Sequence, residues 1–248
     1  MKGSLEGLLP EQARSFDFSA YGRLALLDRD GGRLRVSTDE GGPREVPGVS
    51  GGVRCRWRGG DLMLLSDDDR LLTVAVDGEL LASEPVHPGA RDLAVSTEGN
   101  SMVAYGGRTL ERGHAVLERL GRTPGQFATD DLSEACALAP ATGGVWVGGT
   151  GPSRPAARIL YLRPRAQRFD VRLTILLPAP PRSAVIGPDG ALFVLLEPGE
   201  SMARIWHDEV ERPQRLPAPL VEIHRRERQL WGVGPRGFVD LTRFVPAP

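Results

Sequence analysis

The sequence predicts a single all-β domain over residues 1–248, a closed β-propeller of six four-stranded blades. One short phrase occurs six times, first as Gly-Arg-Leu-Ala-Leu-Leu, and five of the six copies open with glycine. The copies begin at residues 22, 60, 99, 143, 190 and 228, a period of about 41 residues, which is the length of a four-stranded blade. The 31 glycines and 21 prolines suit many short strands joined by tight turns.

Each repeat predicts an inner strand, a tight turn at the glycine, a more apolar second strand, a third strand and, in longer units, a fourth strand. Alternation of polar and apolar residues indicates the inner strands at residues 15–19, 54–58, 92–96 and 134–138. Third strands are expected at residues 32–37, 71–76, 157–162 and 203–207, and fourth strands at residues 79–83 and 171–177.

Two segments are less regular. Residues 106–120 have a spacing that fits either a strand or a helical turn, and a strand is favoured because a single helix has nowhere to pack in a regular array. The sixth unit has only three strands before the chain ends. We expect residues 4–9 to supply its fourth strand and so to close the ring without an exposed edge.

Composition and charge exclude several classes of function. The 31 basic and 32 acidic residues balance, which predicts no binding of nucleic acid or of an anionic membrane surface. Lys2 is the only lysine, which nearly excludes phosphate-loop, Schiff-base and pyridoxal chemistry. Cys55 and Cys136 lack the spacing of a zinc site or a disulfide framework, so they are predicted to be buried thiols. With no signal-peptide pattern or long apolar run, the expected location is the cytoplasm.

Three motifs suggest chemistry when taken alone. Residues 232–237 form a G-x-G-x-x-G phrase, but a strand pattern comes after it where dinucleotide binding needs a helix. Residues 66–70 contain three aspartates without the spaced ligands of a calcium loop, and we interpret them as a hairpin tip. The four histidines are scattered over different units. The sequence therefore predicts no metal and no cofactor.

Glu222 and His224 are the only candidates for catalysis. They lie two residues apart, on one face of a predicted inner strand, where the other units place Phe18, Trp57, Val95, Leu138 and Ile186. One interpretation is a general-base pair in the central channel. The favoured one is an inert, hydrogen-bonded histidine at the seam where the ring closes, so no catalytic residue is assigned.

The loops predict where a partner binds. In a propeller, the loops between second and third strands share one face of the disc with the connections between blades. These loops differ in length and chemistry, and we call this side the irregular-loop face; they span residues 28–32, 66–69, 106–113, 148–155 and 197–201. Irregular loops on a rigid scaffold commonly carry binding. The residues expected to contact a protein partner there are Asp67, Asp68, Arg108, Arg112 and Arg154.

Residues 189–195, Asp-Gly-Ala-Leu-Phe-Val-Leu, resemble the blades of bacterial six-bladed propellers of the NHL and gluconolactonase-like kind. The resemblance implies the fold and does not by itself imply an activity. Gluconolactonase-like enzymes hold a divalent metal with Glu, Asn and Asp ligands. The only asparagine here, Asn100, comes after a turn glycine instead of lying on an inner strand, so that activity is not carried over.

The function predicted from the sequence is a non-catalytic protein-interaction or scaffold module of a bacterial multiprotein assembly, either a monomer or a subunit of a hetero-complex. Two alternatives stay open: a channel enzyme of the lyase or lactonase type, and a binder of a small ligand or carbohydrate. Two carboxylates converging on His224 would favour the enzyme. A channel lined by arginine would favour a binder.

Overall fold

The fold prediction is confirmed. A computed structural model of the chain shows six antiparallel sheets arranged as the blades of a propeller. It describes residues 13–38, 41–96, 98–106, 115–120, 124–129, 131–152, 157–165 and 168–246. The only helical segment among them is a 3-10 turn, Thr242–Phe244, and no helix in these ranges is long and apolar enough to cross a membrane.

The blades succeed one another in chain order, and within each blade the strands lie side by side in sequence. The first blade comprises β1 (Ala13–Phe18), β2 (Leu24–Asp28), β3 (Leu34–Thr38) and β4 (Gly41–Glu45). The second comprises β5 (Gly52–Arg58), β6 (Asp61–Ser66), β7 (Arg70–Val74) and β8 (Leu80–Pro85). The third comprises β9 (Ala90–Val95), β10 (Ser101–Tyr105), β11 (Ala115–Leu120) and β12 (Gly125–Ala128).

The fourth blade has the longest strands: β13 (Glu134–Ala141), β14 (Gly144–Thr150), β15 (Ala157–Arg165) and β16 (Arg168–Leu176). The fifth comprises β17 (Pro181–Ile186), β18 (Leu192–Leu196) and β19 (Ser201–Trp206), whose outer edge pairs with the short strands β20 (Glu209–Val210) and β21 (Gln214–Arg215). In the sixth, the described strands are β22 (Glu222–Arg226), β23 (Gln229–Gly234) and β24 (Gly237–Asp240).

The hydrophobic core is divided into six clusters, and one lies between each pair of neighbouring blades. The cluster between the last and first blades contains Phe16, Leu26 and Val233, all nearly or fully buried. The inner strands β1, β5, β9, β13, β17 and β22 contact one another in that order, and β22 returns to β1. The ring is thus closed by packing among described residues.

Local sequence signals account for the turns. Gly22, Gly99 and Gly190 have φ values of 76°, 79° and 85°, which glycine adopts without strain. The ambiguous segment contains a strand, β11, and the glycine-rich phrase near the end of the chain is a hairpin with β24 as its second strand. Residues 66–70 form the predicted hairpin tip between β6 and β7.

The proposed closing strand, residues 4–9, lies outside the described residues, so ring closure by that strand stays a prediction. Deleting residues 1–12 should lower the melting temperature and produce oligomers, because β24 would present an unpaired edge. Calorimetry and size-exclusion chromatography measure both effects. Replacing Leu5, Leu8 and Leu9 with asparagine should act in the same direction, whereas Glu6→Gln should not. A truncated protein that stays monomeric with an unchanged melting temperature would contradict closure by this segment.

Candidate functional site

A β-bulge near the start of the inner strand aims one side chain of a blade at the next blade. The register shifts fall between Ala13 and Ser15 in the first blade and between Pro181 and Ser183 in the fifth, and the second, third and fourth blades have equivalent irregularities. A bulge adds one residue, bends the strand and re-aims the side chains beyond it. In the first, third and fifth blades, the residue after the bulge contacts the neighbouring inner strand; these residues are Ser15, Asp92 and Ser183.

These side chains form hydrogen bonds that join consecutive blades through the backbone of the neighbouring inner strand. Cys55 N–H donates to Ser15 Oγ at 3.3 Å, and Ile223 N–H donates to Ser183 Oγ at 3.2 Å. Leu138 N–H donates to Asp92 Oδ2 at 2.8 Å. A backbone donor buried between two sheets needs such a partner, since leaving it unpaired costs about 1–3 kcal/mol.

Glu222 performs the same task between the last blade and the first. Phe16 N–H donates to its Oε2 at 2.8 Å, and its Oε1 lies 2.8 Å from an Arg56 guanidinium nitrogen. The residue is 1% exposed. Both carboxylate oxygens are therefore occupied, and this one side chain connects the sixth, first and second blades.

Arg56 lies between two carboxylates. The nitrogen that reaches Glu222 also lies 3.1 Å from Asp92 Oδ1, while its other terminal nitrogen donates to Cys55 O at 2.7 Å. Arg54 approaches the same two acids, with Nε 3.4 Å from Asp92 and 3.8 Å from Glu222. The two arginines and two acids thus form a charge-balanced group in the centre of the ring.

The pKa values of the two buried carboxyl groups shift in opposite directions. Burial raises the pKa of Asp92, and attraction to Arg56 and Arg54 does not reverse the shift. Burial also acts to raise the pKa of Glu222, but Arg56 and His224 outweigh it and hold that pKa far below its ordinary value. Glu222 consequently stays ionised under all ordinary conditions, as its bond to Arg56 requires.

His224 lies between Asp17 and Glu222. Its Nδ1 is 3.3 Å from Asp17 Oδ1, and its Nε2 is 3.3 Å from Glu222 Oε1. The second approach is poorly aligned, so Nε2 has no hydrogen-bond partner in the described part of the chain. The ring packs edge-on against Phe16 at 4.8 Å between centroids, and the residue is 9% exposed.

The repeat pattern in the sequence placed His224 level with Phe18 and Trp57, and this placement is wrong by one position. The bonds between blades place Glu222 level with Ser15, so His224 lies level with Asp17, whose Oδ2 accepts a 2.8 Å hydrogen bond from Trp57 N–H. The offset arises because the turns after the inner strands differ in length: Phe18 pairs with Leu24, but Arg226 pairs with Gln229.

The arrangement brings together the two candidate residues and adds a second carboxylate, Asp17. Two acids around one histidine would suit acid–base chemistry if a substrate could reach it. Neither Glu222 nor His224 lines a described cavity, and the oxygens of Glu222 are committed to Phe16 and Arg56. In the described part of the chain, the contacts of the group join neighbouring blades.

The two thiols are free, and they differ in burial. Cys55 is fully buried, and burial together with the charge of Glu222 raises its pKa. Cys136 is only partly buried, which corrects the prediction of two buried thiols; its Sγ is 2.8 Å from Pro181 O in the next blade, and burial raises its pKa to about 12. Both therefore stay protonated, and Cys136 contributes to the contact between the fourth and fifth blades.

A cavity of about 640 Å³ opens on the irregular-loop face. It is lined by Arg14 and Ala13 on β1, by Arg29 in the loop after β2, by Arg54 on β5 and by Arg182 on β17; Pro198, Pro219, Leu220, Val221 and Pro235 complete its wall. The sequence showed the arginines but could not show which face they take. An arginine-lined opening is the feature that the sequence analysis associated with a binder, and the structure shows which arginines line it.

The residues predicted to contact a partner are only partly described. Asp67 and Asp68 are exposed at the tip between β6 and β7, on the irregular-loop face, and Asp68 accepts a hydrogen bond from Ser66 Oγ. Arg108, Arg112 and Arg154 lie outside the described residues. That these five side chains form one contact surface stays a prediction.

The divalent metal of gluconolactonase-like enzymes does not fit the described residues. Within these ranges no three His, Cys, Asp or Glu side chains are arranged to hold a metal ion. The acids nearest the channel axis, Asp92 and Glu222, already share the cation Arg56. Asn100 lies in the turn between β9 and β10, on the face opposite the irregular loops.

Several solved structures have a similar fold. A gluconolactonase from Xanthomonas campestris matches with a TM-score of 0.71 at 15% identity, over 93% of this chain and 86% of that one. Virginiamycin B lyase from Staphylococcus aureus matches at 0.66 and 12%, over 90% and 78%. The WD40 β-propeller domain of Doa1 matches at 0.67 and 13%, over 91% and 77%.

No family model and no curated protein matches the sequence. At these identities the structural likeness shows the fold alone. The fold-level resemblance to gluconolactonase-like propellers is confirmed, and the neighbours include both enzymes and a WD40 domain.

Glu222→Gln should destabilise the protein by about 3–5 kcal/mol, because Arg56 would lose a buried counter-ion. Glutamine keeps an oxygen that can accept from Phe16 N–H, so the change isolates the charge. Urea unfolding at pH 7 measures the loss. The exposed turn residue Glu98 provides a matched control, since Glu98→Gln should shift stability by less than about 0.5 kcal/mol.

The pH dependence arises from the lowered pKa of Glu222. A carboxyl group whose pKa is lower in the folded state adds stability above its unfolded pKa of about 4.3 and loses it as the pH falls further. The raised pKa of Asp92 works in the opposite direction; burial is its main cause and remains in the variant, whereas the contribution of the Glu222 charge is removed. The stability difference between wild type and Glu222→Gln should therefore shrink below about pH 4.3. A difference that is equal at pH 7 and pH 3 would contradict the assignment.

Proposed function

We propose that the protein is a non-catalytic binding module, a subunit or scaffold of a bacterial multiprotein assembly that engages a protein partner through its irregular-loop face. The observation that carries the proposal is the use of Glu222. Its carboxylate binds Phe16 N–H at the seam between the last and first blades, and it also binds Arg56 of the second blade. The acid–base residues of the channel are thus engaged in maintaining the ring.

The shape of the two faces supports the same proposal. The side of the disc opposite the irregular-loop face carries the turns between first and second strands and between third and fourth strands, and we call it the tight-turn face. Its hairpins are short, such as the two-residue turn between Arg58 and Asp61 and that between Arg226 and Gln229. The irregular-loop face carries the exposed carboxylates Asp67 and Asp68. Charged side chains on a rigid frame suit selective binding, since complementary charge steers the encounter. The two unpaired thiols are consistent with a reducing location, and we place the protein in the cytoplasm.

The channel enzyme is the second candidate. Asp17 and Glu222 converge on His224, and two carboxylates around this histidine are the geometry expected of an enzyme. Similar structures include a lyase and a gluconolactonase. Against this candidate, His224 is nearly buried and packs against Phe16. Catalysis by this group would require the seam of the ring to open to a substrate.

Charge reversal at the five predicted contact residues should abolish capture of the partner and leave the fold intact. The variant carries arginine at Asp67 and Asp68 and glutamate at Arg108, Arg112 and Arg154. Affinity purification of the tagged protein from its native host measures capture, and circular dichroism checks the fold.

A matched control reverses two acids and three arginines on the tight-turn face. These are Asp77, Asp208, Arg168, Arg225 and Arg228. This control and His224→Gln should both retain the partner. Normal recovery of the partner by the first variant would move the working surface elsewhere, and loss on His224→Gln with an intact fold would favour the channel.

A further inference from the structure

The described charged side chains that line the cavity on the irregular-loop face are all positive. Four arginines line it, and no aspartate or glutamate among the described residues does. The rest of its wall is apolar, formed mainly by prolines and by Leu220 and Val221. Its volume, about 640 Å³, lies in the range of small-molecule sites. A pocket of this kind differs from a smooth protein-docking surface.

Three of the four arginines that line the cavity have no carboxylate partner among the described residues. Arg54 and Arg56 are matched by Asp92 and Glu222 in the buried group. The side chains of Arg14 and Arg29 form no hydrogen bond or ion pair with another described residue. Of the four lining arginines, only Arg54 has a described carboxylate partner.

Arg182, unlike Arg14 and Arg29, is held in place by two hydrogen bonds to backbone carbonyl groups. Its Nε donates to Val221 O and one terminal nitrogen donates to Pro198 O, both at 3.3 Å. Neutral carbonyls orient a guanidinium without cancelling its charge, so Arg182 is a positioned cation at the border of the cavity. Holding the donor in place before binding lowers the entropy lost when an anion arrives.

The positions of these groups divide the cavity into two sides. Arg14, Arg29 and Arg54 come from the first and second blades, whereas Pro219, Leu220, Val221 and Pro235 come from the sixth blade and the connection leading into it. Arg182 stands on the fifth blade, beyond the apolar wall. Cations thus flank an apolar surface on both sides.

We propose that this cavity binds a small organic anion with an apolar body and two oxyanion groups, either carboxylate or phosphate. Arg14 and Arg29 bind one group through their planar donor forks, and Arg182 binds the other. The apolar body packs against Leu220 and the neighbouring prolines. This site is additional to the protein-binding function, and it does not depend on that function being correct.

The test uses the full-length protein and two probes, isophthalate and phenylene bisphosphate, with neutral isophthalamide as the uncharged comparison. Isothermal titration should give saturable binding of at least one anion and none of the diamide. At ten times its Kd, the bound anion should raise Tm by about 3–6 °C. The affinity should fall as salt is added, since exposed charges are screened.

Arg14→Gln and Arg29→Gln should each weaken binding about tenfold, because each removes a charge-assisted hydrogen-bond donor. Arg168→Gln, which changes an exposed arginine on the tight-turn face, is the matched control and should leave the affinity unchanged. Both site variants concern side chains outside the buried charge group, so their folds should be intact, as urea unfolding can check.

Three results would overturn the proposal: no binding of either anion, equal binding of the diamide, or unchanged affinity in Arg14→Gln and Arg29→Gln. Binding of the bisphosphate alone or of the dicarboxylate alone supports the site and identifies the oxyanion that it prefers. Failure of these experiments would leave partner capture untouched, and failure of partner capture would leave this site untouched.

Discussion

The buried carboxylate of Glu222 is the central polar interaction of the ring, because it joins the last blade to both the first and the second. Glu222 receives Phe16 N–H on one oxygen and Arg56 on the other. From Arg56 the contacts continue to Asp92, and from Asp92 to Leu138 N–H. One connected polar group therefore spans the inner strands of the sixth, first, second, third and fourth blades.

A buried ion pair normally contributes little net stability, since removing two charges from water costs several kcal/mol. Here the cost is offset because both carboxylates and Arg56 also form hydrogen bonds with backbone groups. Asp92 receives two backbone N–H groups, and Arg56 also donates to Cys55 O. The same groups satisfy backbone donors at the blade interfaces, which an apolar replacement would leave unpaired. The ion group therefore fixes the relative positions of the blades, while the six apolar clusters contribute the larger share of burial.

The sequence predicted the blades well because their signals are local. A turn glycine, a period-two strand and an apolar second strand all lie within a dozen residues, and Gly22, Gly99 and Gly190 adopt the positive φ that this pattern needs. The channel was much less predictable. Glu222, Arg56 and Asp92 lie on three blades and more than 30 residues apart in sequence, so no local pattern links them.

Bulges and turns of unequal length make it hard to predict from the sequence which face an inner-strand residue takes. A bulge adds a residue to one strand and so reverses the alternation of its side chains, and a longer turn shifts the positions that are equivalent in two blades. This is why His224 was aligned with Phe18 when its true neighbour is Asp17. The arginines of the cavity were visible in the sequence, but the face on which Arg14 and Arg182 emerge depends on the same bulges.

The inner strands of this propeller are joined to one another by polar side chains of two kinds. The fold uses turn glycines, apolar second strands and, on four of the described inner strands, a polar side chain that receives a backbone N–H of the next blade. Ser15 and Ser183 meet that requirement with a hydroxyl, and Asp92 and Glu222 meet it with a carboxylate. A carboxylate used in this way needs a cation, and Arg56 supplies it. Asp92 and Glu222 share Arg56, whereas Arg14, Arg29 and Arg182, which have no carboxylate partner among the described residues, line the cavity on the irregular-loop face.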